Sequence, residues 1–122
     1  MILVDSSVWI EHIRAPDEVM LVLLGERRVI THPFVIGEVA LGHVRRRATV
    51  LAELKELRVA KLAEEEEVLR LIENQKLYGL GIGYIDAHLL ASCLLTRTDA
   101  IWTLDRKFHG AALKLGVAAD RP

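Results

Sequence analysis

Four carboxylates stand where the hydrophobic pattern asks for something else: Asp5, Glu38, Asp86 and Asp105. Glu38 has Phe34, Val35 and Leu41 at i−4, i−3 and i+3, neighbours on one helical face. A carboxylate in an apolar stripe has to be paired, protonated or bound to metal. Its plainer alternative is to leave the stripe's edge, or to pair with Arg45 or Arg46. Asp86 sits among Ile82, Gly83, Leu89 and Leu90; there the plainer alternative is an acid favoured by the dipole of a first helical turn. Asp5 directly follows Ile2-Leu3-Val4, and Asp105 follows Ile101-Trp102-Thr103-Leu104. Ligand sites of parallel α/β sheets form beyond the carboxyl ends of strands, although an acid there also serves as a helix N-cap.

The four together are more telling than any one. Like charges gathered in one crevice raise one another's pKa values. A hard divalent cation relieves that. Mg²⁺ takes one or two carboxylates and completes its shell with water, and Mn²⁺ accepts the same oxygens. Such an open site suits phosphoryl chemistry, because it polarises phosphate oxygens and activates a bound water. The five histidines are scattered, and His88, two residues from Asp86, does not share its helical face.

These acids need elements to hold them. Ile2–Val4 is a short apolar run of the kind found in buried parallel strands. Asp5-Ser6-Ser7 offers caps for a helix that ends near Pro16, and Asp17-Glu18 opens a second through Leu24, stopped by Gly25. Arg28–Thr31 reads as a strand. Pro33 fits the first turn of a helix running to about Arg47, with Arg45-Arg46-Arg47 at its end. Thr49 caps another helix carrying Leu51, Leu54 and Leu57. Glu64 to Glu67 opens a third, with Val68, Leu71 and Ile72 on its stripe. Gly79, Gly81 and Gly83 break the chain before a helix from Tyr84 to Leu95, a strand over Ile101–Leu104 and a last helix over Phe108–Leu115. The three prolines, Pro16, Pro33 and Pro122, fall where elements start or stop. Strands alternating with helices predict an α/β fold with a short parallel sheet flanked by helices, in one domain over residues 1–122.

Composition agrees. The chain has 122 residues, 52% of them apolar and 27% charged, a globular mixture. The one cysteine, Cys93, rules out an internal disulfide framework and reads as a core residue. No apolar run reaches the roughly 18–20 residues of a membrane helix, and the acids near the start argue against a signal peptide, so the expected place is the cytoplasm. The net charge of −1 first argues against a nucleic-acid partner. With the four crevice acids set aside, 16 Lys and Arg face 13 acids, and the body is mildly basic at +3. The objection then falls.

The segments MILVDSSVWIEHI, PFVIGEVALG, GYIDAHLLAS and IWTLDRKF, in this order, resemble the motifs of PIN-domain ribonucleases, and among them the VapC-type toxins of prokaryotic toxin–antitoxin pairs. The acids are 33, 48 and 19 residues apart, in keeping with that pattern, and the resemblance covers essentially the whole chain. It implies a PIN-like three-layer fold and an endoribonuclease that hydrolyses RNA phosphodiesters with Mg²⁺ or Mn²⁺. It also implies a homodimer, silenced by a VapB-type antitoxin. Asp5, Glu38, Asp86 and Asp105 would form the metal site: the three aspartates as ligands, Glu38 as a ligand, directly or through water, or as general base. Ser6 or Ser7 and Thr103 match positions where the family keeps a small hydroxyl.

Arg45 and Arg46, or Arg106 and Lys107, are candidate phosphate contacts, the latter pair the better placed beside Asp105. Val8, Ile13, Leu21 and Leu24 are candidates for an antitoxin groove, and Trp9 and Trp102 read as core or interface. Two other readings compete. A receiver-type phosphoacceptor domain also has an acidic Mg²⁺ pocket, but Asp5 is followed by Ser6, and no Asp lies between Asp17 and Asp86. A catalytically inactive PIN-fold binding module would lack one of the acids, and all four are present.

Overall fold

The computed structural model describes residues 1–119; Pro122 lies outside them. Its centre is a four-stranded, wholly parallel sheet in the order β3-β2-β1-β4. The strands are β1 (Ile2–Val4), β2 (Val29–Thr31), β3 (Arg58–Val59) and β4 (Ala100–Trp102). Leu3, Val4 and Ile101 are wholly enclosed, as strands covered on both faces require. A single bridge from Ile101 to Ala118 extends the sheet past β4.

The connections are helical. α1 (Ser6–Arg14) and α2 (Glu18–Gly25) link β1 to β2, and α3 (Pro33–Leu41) and α4 (Arg47–Glu56) link β2 to β3. α5 (Glu65–Asn74) and α6 (Tyr84–Thr96) carry the chain back across the sheet to β4, and α7 (Arg106–Leu115) follows. α1 packs on α3 and α3 on α4, α5 packs on α6, and α6 and α7 lie against β4. Crossovers between parallel strands are right-handed, so the outward and return paths cover opposite faces. That gives the three layers expected of the sequence. No helix of the described residues is long and apolar enough to cross a membrane.

The strand order sets the site. From β1 the chain first steps outward to β2 and β3, then returns to the other side of β1 as β4. The reversal opens a crevice beyond the carboxyl ends of β1 and β4. Receiver-type sheets follow a different order, 2-1-3-4-5, so that reading fails on topology.

Several boundaries differ from the pattern. The helix that carries Glu38 ends at Leu41, not near Arg47, because Gly42 turns extended and its N–H closes on the Val39 carbonyl. Arg45 and Arg46 therefore lie in the turn between two helices, and Arg47 opens the next. Arg47 still serves a helix end: its Nε and Nη2 donate to the Ala40 carbonyl at 3.1 and 3.0 Å. Thr49 is inside α4, whose cap is Arg46 in the left-handed region at φ 53°. Leu41 is 89% exposed and so belongs to no buried stripe. Gly25 is the last residue of α2, and the left-handed turn falls on Arg27. β3 has two exposed residues and no apolar run to betray it. The strand expected at Ile101–Leu104 stops at Trp102, which frees Thr103 and Leu104 for the crevice loop.

Candidate active site

β1 delivers Asp5 to the crevice. Its backbone N–H donates to the Trp102 carbonyl at 2.9 Å, so the sheet ladder holds it just past the strand. The residue is only 5% exposed, and a carboxylate there needs partners. Thr103 Oγ1 donates to Asp5 Oδ2 at 2.7 Å, and Ser7 Oγ donates to the same oxygen at 2.9 Å. The two hydroxyls then accept in turn: Ser7 Oγ from the Leu104 N–H, and Thr103 Oγ1 from the Asp105 N–H, both at 3.0 Å. One hydrogen-bond network, buried at Asp5, thus ties β1, α1 and the β4–α7 loop. Of the two serines, Ser7 does this; Ser6 makes no side-chain hydrogen bond among the described residues. Asp5 does not cap its own helix, because its carboxylate is turned across to Thr103.

Asp105 does cap its helix. Its Oδ1 accepts from the N–H groups of Lys107 and Phe108 at 2.9 and 3.0 Å. Asp86, in the first turn of α6, takes the Gly83 N–H on Oδ2 at 3.1 Å. The three aspartates share a pattern. Each gives one oxygen to the protein, and the other (Oδ1 of Asp5, Oδ1 of Asp86, Oδ2 of Asp105) accepts nothing from the described residues. Glu38, half-buried in the second turn of α3, has no hydrogen bond and no ion pair among them. The pairing with Arg45 or Arg46 does not form.

The charges meet at Asp86. Burial lifts its carboxyl above the ordinary range, and the charges of Asp5, Asp105 and Glu38 lift it further, while the Gly83 N–H works the other way. The four acids are therefore electrostatic neighbours. Among the described residues, however, no three His, Cys, Asp or Glu side chains stand close enough to grip one ion together. The donor set still fits Mg²⁺ or Mn²⁺: it is all oxygen, each aspartate keeps one carboxylate atom that accepts nothing from the described residues, and such ions need only one or two carboxylates directly.

The basic candidates separate. Lys107 lies across Gly81, where a Cβ would come within 2.6 Å of its Cδ and 3.1 Å of its Nζ; Gly81 also holds φ at +80°. The close fit ties the start of α7 to the loop before α6, and Lys107 makes no ion pair among the described residues. Arg106 lines a cavity with Asp105. Arg45 and Arg46 lie elsewhere, on a groove with Trp9, Ile13 and Leu24 that none of the four acids lines. Val8 is core, and Leu21 is absent from that groove.

The pattern did not single out His32. It follows β2 and caps α3, its Nδ1 accepting from the Phe34 N–H at 3.0 Å. Burial, with His88 nearby, pushes it down to about 4. Its ring begins a column: His32 to Phe34 at 5.0 Å, Phe34 to His88 at 4.9 Å, His88 to Tyr84 at 4.7 Å. Pro33 was the signal, since a proline in the first helical turn puts the cap just before it.

Comparison with known proteins agrees with this geometry. Residues 2–114 match the PIN domain family. Two curated relatives, both described as Ribonuclease VapC32, come from Mycobacterium tuberculosis strains CDC 1551 / Oshkosh and ATCC 25618 / H37Rv. Each is 44% identical over 118 residues, which is 97% of this chain and 95% of theirs. The chain belongs to the PIN domain family, among its VapC-type ribonucleases.

Proposed function

We propose that this protein is a metal-dependent endoribonuclease, the toxin of a VapBC-type pair, acting on RNA in the cytoplasm. The observation that carries the reading is the set of three aspartates at the strand-order reversal, each with one oxygen anchored and one free. Those free oxygens would hold Mg²⁺, or Mn²⁺ in its place. When bound, the ion neutralises charge on the phosphate and lowers the pKa of a water.

The chain's own residues do the rest. Thr103 and Ser7 hold Asp5 to one rotamer, so its free oxygen is aimed before substrate arrives. The Gly83 N–H does the same for Asp86, and the first N–H groups of α7 for Asp105. Glu38 has no competing partner among the described residues and is free to take the proton of the attacking water. Lys107 and Arg106, at the start of α7, offer cations to the RNA backbone.

The groove lined by Trp9, Ile13, Leu24, Val50 and Leu57, with Arg45 and Arg46 also on its lining, is proposed as the seat of a VapB-type antitoxin segment. Its volume is about 460 Å³. Trp9, whose ring is buried, forms the floor of that groove. Homodimerisation belongs to the same reading, and exposed Leu41, Tyr78 and Tyr84 leave apolar surface for it.

The test is cleavage of a short unstructured RNA with and without Mg²⁺ or Mn²⁺. Wild type should cut only with metal. A folded Asp5→Asn variant should lose more than about a hundredfold, beyond the loss typical of a supporting residue. Full activity in that variant would remove Asp5 from the site.

A further inference from the structure

A second cavity of about 460 Å³ opens beside the carboxylates, lined by Asp17, Trp102, Leu104, Arg106, His109 and Leu113, and by Thr103 and Asp105 themselves. We propose that it holds one nucleobase of the RNA, next to the bond that is cut. The proposal rests on the ribonuclease reading above and adds to it a site of sequence preference.

The first argument is continuity. Thr103 braces Asp5, and Asp105 caps α7 through Oδ1 alone, yet both also line this cavity. A phosphodiester lying at the carboxylates would carry its neighbouring nucleotide to the cavity mouth. The Trp9 groove shares none of these residues.

The second argument is chemistry. Arg106, His109 and Leu113 are spaced i, i+3 and i+7, so they form one stripe along α7. The opposite stripe, Phe108, Ala111 and Ala112, is the one buried in the core. Leu113 and Leu104 are 61% and 53% exposed, apolar side chains left without cover. Their faces and the planar groups of His109 and Arg106 suit the flat face of a base. Asp17 adds an acceptor: Oδ1 takes the Met20 N–H, and Oδ2 has no partner among the described residues. Apolar faces, stacking planes and hydrogen-bonding groups at the rim are how proteins read unstacked bases of single-stranded RNA. The volume lies in the range of small-ligand sites.

The experiment uses a short RNA pool randomised around the cut, Mg²⁺ or Mn²⁺, and sequencing of the products. Wild type is compared with His109→Ala and Leu113→Asp. Both positions are on the outer side of α7, and unchanged melting curves confirm that the variants fold. Wild type should favour particular bases at one position next to the cut. Both variants should still cleave, with that bias reduced about fivefold or more, the scale of a lost stacking contact, and KM raised. Wild type without base bias, or the same bias in both variants, overturns the proposal while the ribonuclease reading stands. Unchanged bias with weakened inhibition by the co-encoded antitoxin also overturns it, and gives the cavity to protein. Wild type that cuts no RNA with either metal overturns both readings.

Discussion

Two neighbouring strand ends use the same backbone setting for opposite purposes. At the ends of β1 and β4, Asp5 and Asp105 begin helices, and so does His32 at the end of β2. Asp5 is buried but stays aimed, because two hydroxyls share one of its oxygens and leave the other free. His32 is buried and stays neutral: its Nδ1 caps α3, and its Nε2 is enclosed without a partner among the described residues. A cap position therefore says little about function. What matters is whether the other polar atom of the side chain is left facing a crevice or sealed among rings.

Short of removing Asp5 itself, the largest effect should come from the hydroxyl that makes this difference. Thr103→Val keeps the shape but removes the donor to Asp5 and the acceptor for the Asp105 N–H. Loss of a supporting partner of this kind costs about 10- to 100-fold in activity or metal affinity. A buried polar group left unpaired costs about 1–3 kcal/mol of stability. Cleavage rates and denaturant titration at fixed Mg²⁺ check both. Thr103→Ser, which restores the hydroxyl, should recover most of the rate. Activity near wild type in Thr103→Val would mean that Ser7 and the backbone aim Asp5 without Thr103.

The next effect tests the other strand end. His32 is held down to about 4 by burial and by nearby His88, whereas an unfolded histidine titrates near 6.5. Between those values the unfolded chain binds a proton that the folded one refuses. Stability should therefore fall as pH drops from 6.5 to about 4, and be full above 6.5. His32→Asn keeps a side chain that caps well and removes the titration. Its plot of stability against pH should be flatter over that window. His88 and His12, also lowered by burial, keep part of the slope, and the raised carboxyl of Asp86 opposes it. An unaltered slope would mean that His32 titrates alike in both states.

The contrast explains what the pattern could and could not reveal. The four acids were legible because carboxylates interrupt apolar surroundings or close apolar strands. The strands β1, β2 and β4 were legible as short apolar runs, whereas β3, with Arg58 and Val59 both exposed, looks like loop. The bracing role of Thr103 depends on a hydrogen bond to Asp5, 98 residues away in the chain, which no local pattern carries. The end of α3 departs from the sequence pattern for a related reason. Gly42 stops it through its own extended backbone, while the Arg45–Arg47 run looked like a dipole-favoured terminus. Arg47 does bind a helix-end carbonyl, but from the following helix. His32 was overlooked because its role lies in a lone pair, not in its position on a stripe.

The smallest effect concerns the cost of keeping the acids together. Asp86 is lifted above the ordinary carboxylate range, first by burial and then by Asp5, Asp105 and Glu38. A raised carboxyl means that the folded state binds its proton more tightly than the unfolded one. Charging it at neutral pH therefore opposes folding. Asp86→Asn preserves the acceptor for the Gly83 N–H and removes that charge. In chelator at pH 7, the variant should be slightly more stable than wild type. The advantage should shrink as pH falls through the raised pKa of Asp86, and vanish below about 3.8, where Asp86 is neutral in both states. Mg²⁺ should reverse the ranking, since an ion that binds only the folded wild type stabilises it by mass action. A variant less stable than wild type in chelator at pH 7 would show that neither burial nor the neighbouring acids oppose the charge of Asp86. The β1–β4 crevice would then be no more charged in its behaviour than the sealed end of β2.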